Sequence, residues 1–153
     1  MENSNFNLPL WEELPDIELY MDQLIGYLEK KLGFLSGVED EKFVTSTMIN
    51  NYVKKKIILP PEKKKYNREH LAYLFIIIIL KRVFAISKIS AFIENITKEK
   101  GIDEAYNEFC SEMKSAYELV FNGKKDKELE KNDTALKAVA LLYAYKMYAE
   151  NLL

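Results

Sequence analysis

Residues 45–80, TSTMINNYVKKKIILPPEKKKYNREHLAYLFIIIIL, decide how the rest of the chain is read. A short amphipathic segment is followed by a compact basic turn and then by an intensely apolar run. Thr45 can cap a helix with its hydroxyl, and Ser46 opens the first turn. At helical spacing Met48, Ile49, Tyr52 and Val53 share one face, while Ser46, Thr47, Asn50, Asn51, Lys54 and Lys55 share the other. That second face holds hydroxyls, amides and ammonium groups without a carboxylate. Asn can bond bidentately to an adenine edge, and Ser, Thr and Lys can take phosphates or bases. An ordinary solvated helix face is the plain alternative.

The residues that follow add charge. Ile57-Ile58-Leu59 reads as a short strand ended by Pro60-Pro61, which can continue neither a ladder nor a helix. Glu62 and then Lys63-Lys64-Lys65 lead to Tyr66 and Arg68, a tight basic tip. From Tyr52 to His70 seven Lys/Arg face two Glu, a net of +5 in a chain whose net charge is −2. Phosphate neutralisation gives such a concentration a reason, because each Lys releases condensed counterions from DNA. A solvated charge run is the common alternative.

Two resemblances rest on these residues. Met48-Ile49-Asn50-Asn51-Tyr52, Lys54-Lys55-Lys56-Ile57-Ile58, Pro60 and Tyr66 resemble the recognition helix and wing of MerR-type transcription regulators. Asn50-Asn51 stand where Arg-Tyr is usual in that family, Lys56 stands where Gly is usual, and the wing is shorter. A closer resemblance is to the bacterial domain-of-unknown-function family 1836 of low-GC Gram-positive bacteria. It is carried by Leu8-Pro9-Leu10-Trp11, by residues 14–23, by residues 46–54 and by Lys63-Lys64-Lys65-Tyr66. The first resemblance implies a winged helix-turn-helix that docks on DNA; the second implies no assigned activity.

At 153 residues the chain is one domain's worth, able to bury roughly two thirds of its unfolded surface. Its single cysteine, Cys110, excludes an internal disulfide and suits a reducing cytoplasm. No secretion signal is read at the N-terminus, and the apolar run 71–80 is too short to span a bilayer. Charge is segregated: residues 1–41 carry a net of −8, residues 42–100 a net of +9 and residues 101–153 a net of −3. Whole-chain charge is therefore a poor guide to partners.

A first helix is expected from Pro15 or Asp16 to Leu32, with Ile17, Tyr20, Met21, Leu24, Leu28 and Leu32 as its buried stripe and Gly33 as a left-handed cap. Asn67 caps a helix from Arg68 to about Phe84. FIIII at 75–79 has strand propensity, but the continuous apolar run exceeds strand length and favours a central core helix. Ser87 can cap a further short helix. His70 and Cys110 read as structural residues, the first without catalytic or ligand partners and the second as a small buried hydrophobe.

From Ile102 the apolar positions Ile102, Tyr106, Phe109, Met113, Ala116 and Val120 alternate four and three, a heptad seam ended by Asn122-Gly123. Residues 124–133 form a charged connector to a last helix from Thr134 to about Asn151. That helix is apolar around most of its circumference, to be covered either by its own chain or by a partner.

These readings converge on a mainly α fold, a MerR-like winged helix-turn-helix with a minimal β wing plus a C-terminal helical hairpin. Residues 1–100 form the acidic N-terminal helix and DNA-binding region, with its core at 43–84, and residues 101–153 form a dimerisation or sensing region. The expected function is a cytoplasmic, sequence-specific DNA-binding transcription regulator; a helical protein-interaction or RNA-binding module is the alternative. Double-stranded DNA is the expected partner, contacted by Ser46, Thr47, Asn50, Asn51, Lys54, Lys55, Lys56, Lys63, Lys64, Lys65, Tyr66 and Arg68. A homodimer is expected through Tyr106, Phe109, Met113 and Val120. No enzyme motif, metal-ligand spacing, cofactor site or membrane span is read, and no residue pattern identifies a small-molecule effector.

Overall fold

The computed structural model describes residues 6–35 and 44–153. Its helices in chain order are α1 (Met21–Lys31), α2 (Ser46–Lys54), α3 (Arg68–Leu80), α4 (Ile86–Ile96), α5 (Ile102–Asn122), α6 (Lys127–Glu130) and α7 (Ala135–Leu152). Two-residue strands β1 (Leu19–Tyr20) and β2 (Lys65–Tyr66) pair antiparallel, and Trp11–Glu13 and Gly33–Leu35 form 3-10 turns. The fold is mainly α. Phe43, the first residue of the expected DNA-binding core, lies outside the described residues.

The apolar run is the helix at the centre. Asn67 Oδ1 accepts from the His70 N–H at 3.2 Å and starts α3, and every residue from Leu71 to Leu80 except Tyr73 is buried. Four consecutive isoleucines favour a strand on propensity alone. Burial on all sides favours the structure that satisfies its backbone internally, which is the helix. The helix ends at Leu80 rather than near Phe84, and α4 follows from an Ala85 N-cap with no side-chain cap bond, so Ser87 does not cap it.

The first helix is shorter than the sequence suggests. It begins at Met21, where Gln23 Oε1 accepts from the Tyr20 N–H at 3.0 Å, and the residues before it join the sheet through Leu19↔Tyr66 and Tyr20↔Lys65. Leu24, Leu28 and Leu32 are buried as expected, whereas Ile17 is 65% and Tyr20 51% exposed. Gly33 does not take a left-handed cap; it opens a 3-10 turn. Pairing with β2 is a long-range gain that no local helix signal registers.

The N-terminal segment laces across the molecule. Tyr106 donates its hydroxyl to the Pro9 carbonyl at 2.6 Å, and the Trp11 N–H donates to Asn107 Oδ1 at 2.8 Å. Phe6 meets the rings of Phe34, Tyr117 and Tyr143 at 5.1–6.1 Å. One apolar cluster runs from Phe6 through α3 to Ala144.

The C-terminal helices are not a hairpin. Lys137 at the start of α7 interacts with Glu112 in mid-α5, and Tyr148 near its end meets Phe121 at the end of α5, ring centroids 5.4 Å apart. The two helices therefore run in the same direction. A helical hairpin needs a loop of about 2–5 residues; here residues 123–134 retrace α5, with Asp126 capping α6 and Leu129 buried. The left-handed cap at Gly123, φ 67°, forms as the sequence implies.

That crossover overturns the expected dimer surface. Tyr106, Phe109 and Met113 are at most 1% exposed within a single chain. Phe109 meets Phe92 of α4 and Tyr106 meets Phe75 of α3, each at 6.2 Å, and α7 packs along the same helix. Val120 is half-buried against the core. A four-three spacing marks any helix-packing seam, and in this fold the chain covers its own.

Candidate nucleic-acid interface

The candidate surface starts from α2. Thr45 Oγ1 accepts from the Met48 N–H at 3.2 Å, satisfying one orphan donor of the first turn. Ile49 and Tyr52 are buried and Met48 and Val53 half-buried, which turns Ser46, Thr47, Asn50, Asn51 and Lys54 to the exterior. Among the described residues no carboxylate lies on that face. Its helix ends in a Schellman arrangement: the Lys56 N–H donates to the Val53 carbonyl at 2.9 Å and the Ile57 N–H to the Tyr52 carbonyl at 3.0 Å. The geometry holds Lys56 at φ 60°, a left-handed conformation that favours glycine.

Residues 57–59 do not form a strand. Ile58 is buried, Leu59 is 59% exposed, and the chain passes through Pro60-Pro61 to a two-residue hairpin. Glu62 and Lys65 exchange both backbone bonds, N–H to carbonyl, at 3.1 and 2.9 Å. Lys63 and Lys64 between them sit at φ 51° and 65°. Positive φ at both central positions is the type I′ turn, whose favoured residues are Asn and Gly. Among the described residues four non-glycines have positive φ, and three are lysines of this surface. Left-handed backbone costs an L residue about 1–2 kcal/mol, so three positions of poor conformational fit all carry an ammonium group.

The hairpin is anchored from below. The Asn67 N–H donates to His70 Nδ1 at 3.0 Å, and Nε2 faces the carbonyls of Leu59 at 3.1 Å and Pro60 at 3.3 Å. An Nδ1 that accepts leaves Nε2–H as the donor to those carbonyls. His70 thus ties the proline segment to the first turn of α3. Tyr66 packs edge-on against the same ring, centroids 5.2 Å apart.

Of the expected contact residues, Tyr66 is used inside the fold instead, and half-buried Arg68 is engaged by the N-terminal turn. Tyr66 is 3% exposed, and burial raises its hydroxyl pKa. Arg68 donates from Nε to the Leu14 carbonyl at 3.0 Å and from Nη2 towards the Glu12 carbonyl at 3.5 Å, fastening the N-terminal turn to α3. Lys65 is half-buried, its Nζ 5.3 Å from the centre of the Tyr20 ring. Sequence reasoning missed Tyr20 here, since only the pairing of β1 with β2 brings it to this surface. Lys54, Lys55, Lys56, Lys63 and Lys64 are exposed, and none forms an ion pair among the described residues. From Lys56 to Lys63 the chain spans at most about 25 Å even when fully extended, less than one turn of B-DNA. Both ends of the surface can reach phosphates of a single turn.

The family model for a domain of unknown function, DUF1836, matches residues 9–120, which include every residue of this surface. The chain belongs to this family. Searches of curated proteins and of solved structures return no match. The DUF1836 match takes in the lacing residues Pro9 and Trp11, the basic surface, α3, α4 and nearly all of α5, and ends before α7. Among the described residues of this DUF1836 chain no group of His, Cys, Asp and Glu could hold a metal ion, and no helix is long and apolar enough to cross a membrane.

Proposed function

We propose that this protein is a sequence-specific transcription regulator that reads duplex DNA with α2 and holds it with the lysines of the hairpin. One observation carries the reading: an exposed Asn50-Asn51 face without carboxylates, flanked by three lysines held in left-handed backbone. Strained conformations persist where the surroundings over-determine them, and they concentrate at functional sites. The element order supports a MerR-like winged helix-turn-helix, with β1, α1, α2, a hairpin pairing back to β1, and then α3. The left-handed Lys56 also accounts for the glycine usual at that point in the regulators the sequence resembles.

In this reading Asn50 and Asn51 meet base edges from the major groove. Ser46, Thr47 and Lys54 fix the register on phosphates, and Lys55, Lys56, Lys63 and Lys64 clamp the flanking backbone. Tyr66 supports the surface from inside, and half-buried Arg68 braces it against the N-terminal turn. Such a protein works in the cytoplasm, where bacterial DNA lies.

Fluorescence anisotropy of a labelled duplex, titrated at several salt concentrations, tests this. Five phosphate contacts give a slope of log K against log salt of about −4.5. Changing the exposed Lys63 and Lys64 together to Glu abolishes binding while leaving helicity unchanged. Binding to RNA or to an acidic protein but not to duplex DNA transfers the surface to the protein-interaction or RNA reading.

A further inference from the structure

The lysine turn has a counterpart of opposite charge at the other end of the small sheet. Asp16 and Glu18 lie just before β1, and both are exposed, as are Lys63 and Lys64 just before β2. Among the described residues none of the four takes part in an ion pair. Each set of charges is also interrupted by an exposed aliphatic side chain. Ile17 stands between Asp16 and Glu18, and Leu59 stands between Lys56 and Lys63 in the chain.

Strand register decides how these charges are arranged. Leu19 pairs with Tyr66 and Tyr20 with Lys65, antiparallel. The acidic turn therefore leaves the sheet at its Leu19–Tyr66 end and the lysine turn at its Tyr20–Lys65 end. Leu19 and Tyr66 are buried, so the outer face of the sheet presents Tyr20 and Lys65, with Lys65 Nζ 5.3 Å from the centre of the Tyr20 ring. A face with opposite charges at its two ends is self-complementary about a two-fold axis. An axis across the middle of the sheet carries the acidic turn of one copy onto the lysine turn of a second, and the reverse contact forms in the same step. Both ends of each chain are then used, so the assembly closes as a dimer.

Charge complementarity thus names a second copy as the occupant, and a net charge of −2 sets up little repulsion between copies. We propose that the protein associates with itself through this sheet face, Asp16 and Glu18 of each chain against Lys63 and Lys64 of the other. The two-fold dimer covers the lysine turn. Pairs of exposed charges are individually weak, so the dimer forms at about 10–100 µM and only at low salt. Self-association does not depend on the DNA reading. Its consequence, that dimer and duplex compete for the same lysines, rests on that reading.

Sedimentation velocity of the full chain from about 5 to 500 µM tests the interface at about 0.02 M and about 0.5 M salt, where the screening length falls from about 20 Å to about 4 Å. The wild type is a dimer at the top of this range in low salt and a monomer throughout in high salt. Asp16→Lys with Glu18→Lys is monomeric in both, and so is Lys63→Glu with Lys64→Glu. Circular dichroism is unchanged, because all four side chains are exposed. An equimolar mixture of the two variants restores the dimer in low salt, since opposite charges then meet at both contacts. A wild type that is monomeric in low salt, a dimer that persists in high salt or in either variant alone, or a mixture that stays monomeric overturns the proposal. A short duplex added to the wild-type dimer separates this interface from the DNA reading. A duplex that binds dissociates the dimer, and one that binds it intact overturns the interface. A duplex that does not bind refutes the DNA reading and leaves the dimer standing.

Discussion

Replacing Lys63-Lys64 by Asn-Gly separates folding from binding, because the two responses have opposite signs. Both lysines hold left-handed backbone, φ 51° and 65°, in a type I′ turn closed by the Glu62–Lys65 pair. Left-handed geometry costs an L residue about 1–2 kcal/mol, and Asn-Gly is the pair this turn favours. Glycine returns about 0.5–1 kcal/mol of that gain through the freedom it has in the unfolded chain. The net expectation is a stabilisation of about 1–2 kcal/mol, or about 2–8 °C in melting temperature for a chain of this size. Two phosphate contacts disappear at the same time, so the salt slope of DNA binding becomes shallower by about 1.8. Calorimetry and anisotropy on one preparation measure both. A lowered melting temperature refutes the left-handed turn; an unchanged salt slope refutes the phosphate role of the two lysines.

Three other outcomes follow from the packing and the titratable groups. Phe109→Ala should destabilise by about 3–5 kcal/mol, and Phe109→Glu should prevent folding rather than release a folded monomer, since the ring is fully buried in its own chain; soluble, native-like Phe109→Glu would contradict the packing of α5. Burial pushes the Cys110 thiol up to about 12 from 9.0 and the Tyr143 hydroxyl up to about 12 from 10.0. The unfolded chain therefore ionises first, and stability present below about pH 9 is lost as pH rises towards 12; a urea midpoint equal at pH 8 and pH 10.5 would refute that burial. His70→Ala removes the tie from α3 to the Leu59 and Pro60 carbonyls, and should cost about 1–3 kcal/mol and speed hydrogen exchange in the hairpin, with unaltered exchange the contrary result.

The sequence made legible what local chemistry determines. The Thr45 cap and the inward face of α2 are visible as hydroxyl and period, and so are the Asn67 cap of α3 and the Gly123 stop of α5. Contacts across the chain were not legible. Nothing near Leu19 announces a strand, because its partner Tyr66 is 47 positions away. Tyr66 and Arg68 read as surface residues from their basic neighbourhood, yet one fills the space beside His70 and the other caps the carbonyls of Glu12 and Leu14. The α5 seam was visible as a seam, but its spacing carries no mark of which helix fills it. That the connector after Gly123 retraces α5 depends on Leu129 reaching the core, a contact that ten mostly charged residues conceal.

Selection from a pool of randomised duplexes tests the central claim most directly. Base readout by α2 predicts that the wild-type protein enriches one short motif. Asn50→Ala or Asn51→Ala should then lose about 1–3 kcal/mol on that motif and relax its adenine positions, while Lys54→Ala weakens all duplexes alike. A pool left unenriched, or equal losses on the motif and on random DNA for the Asn variants, would contradict sequence-specific reading by this helix.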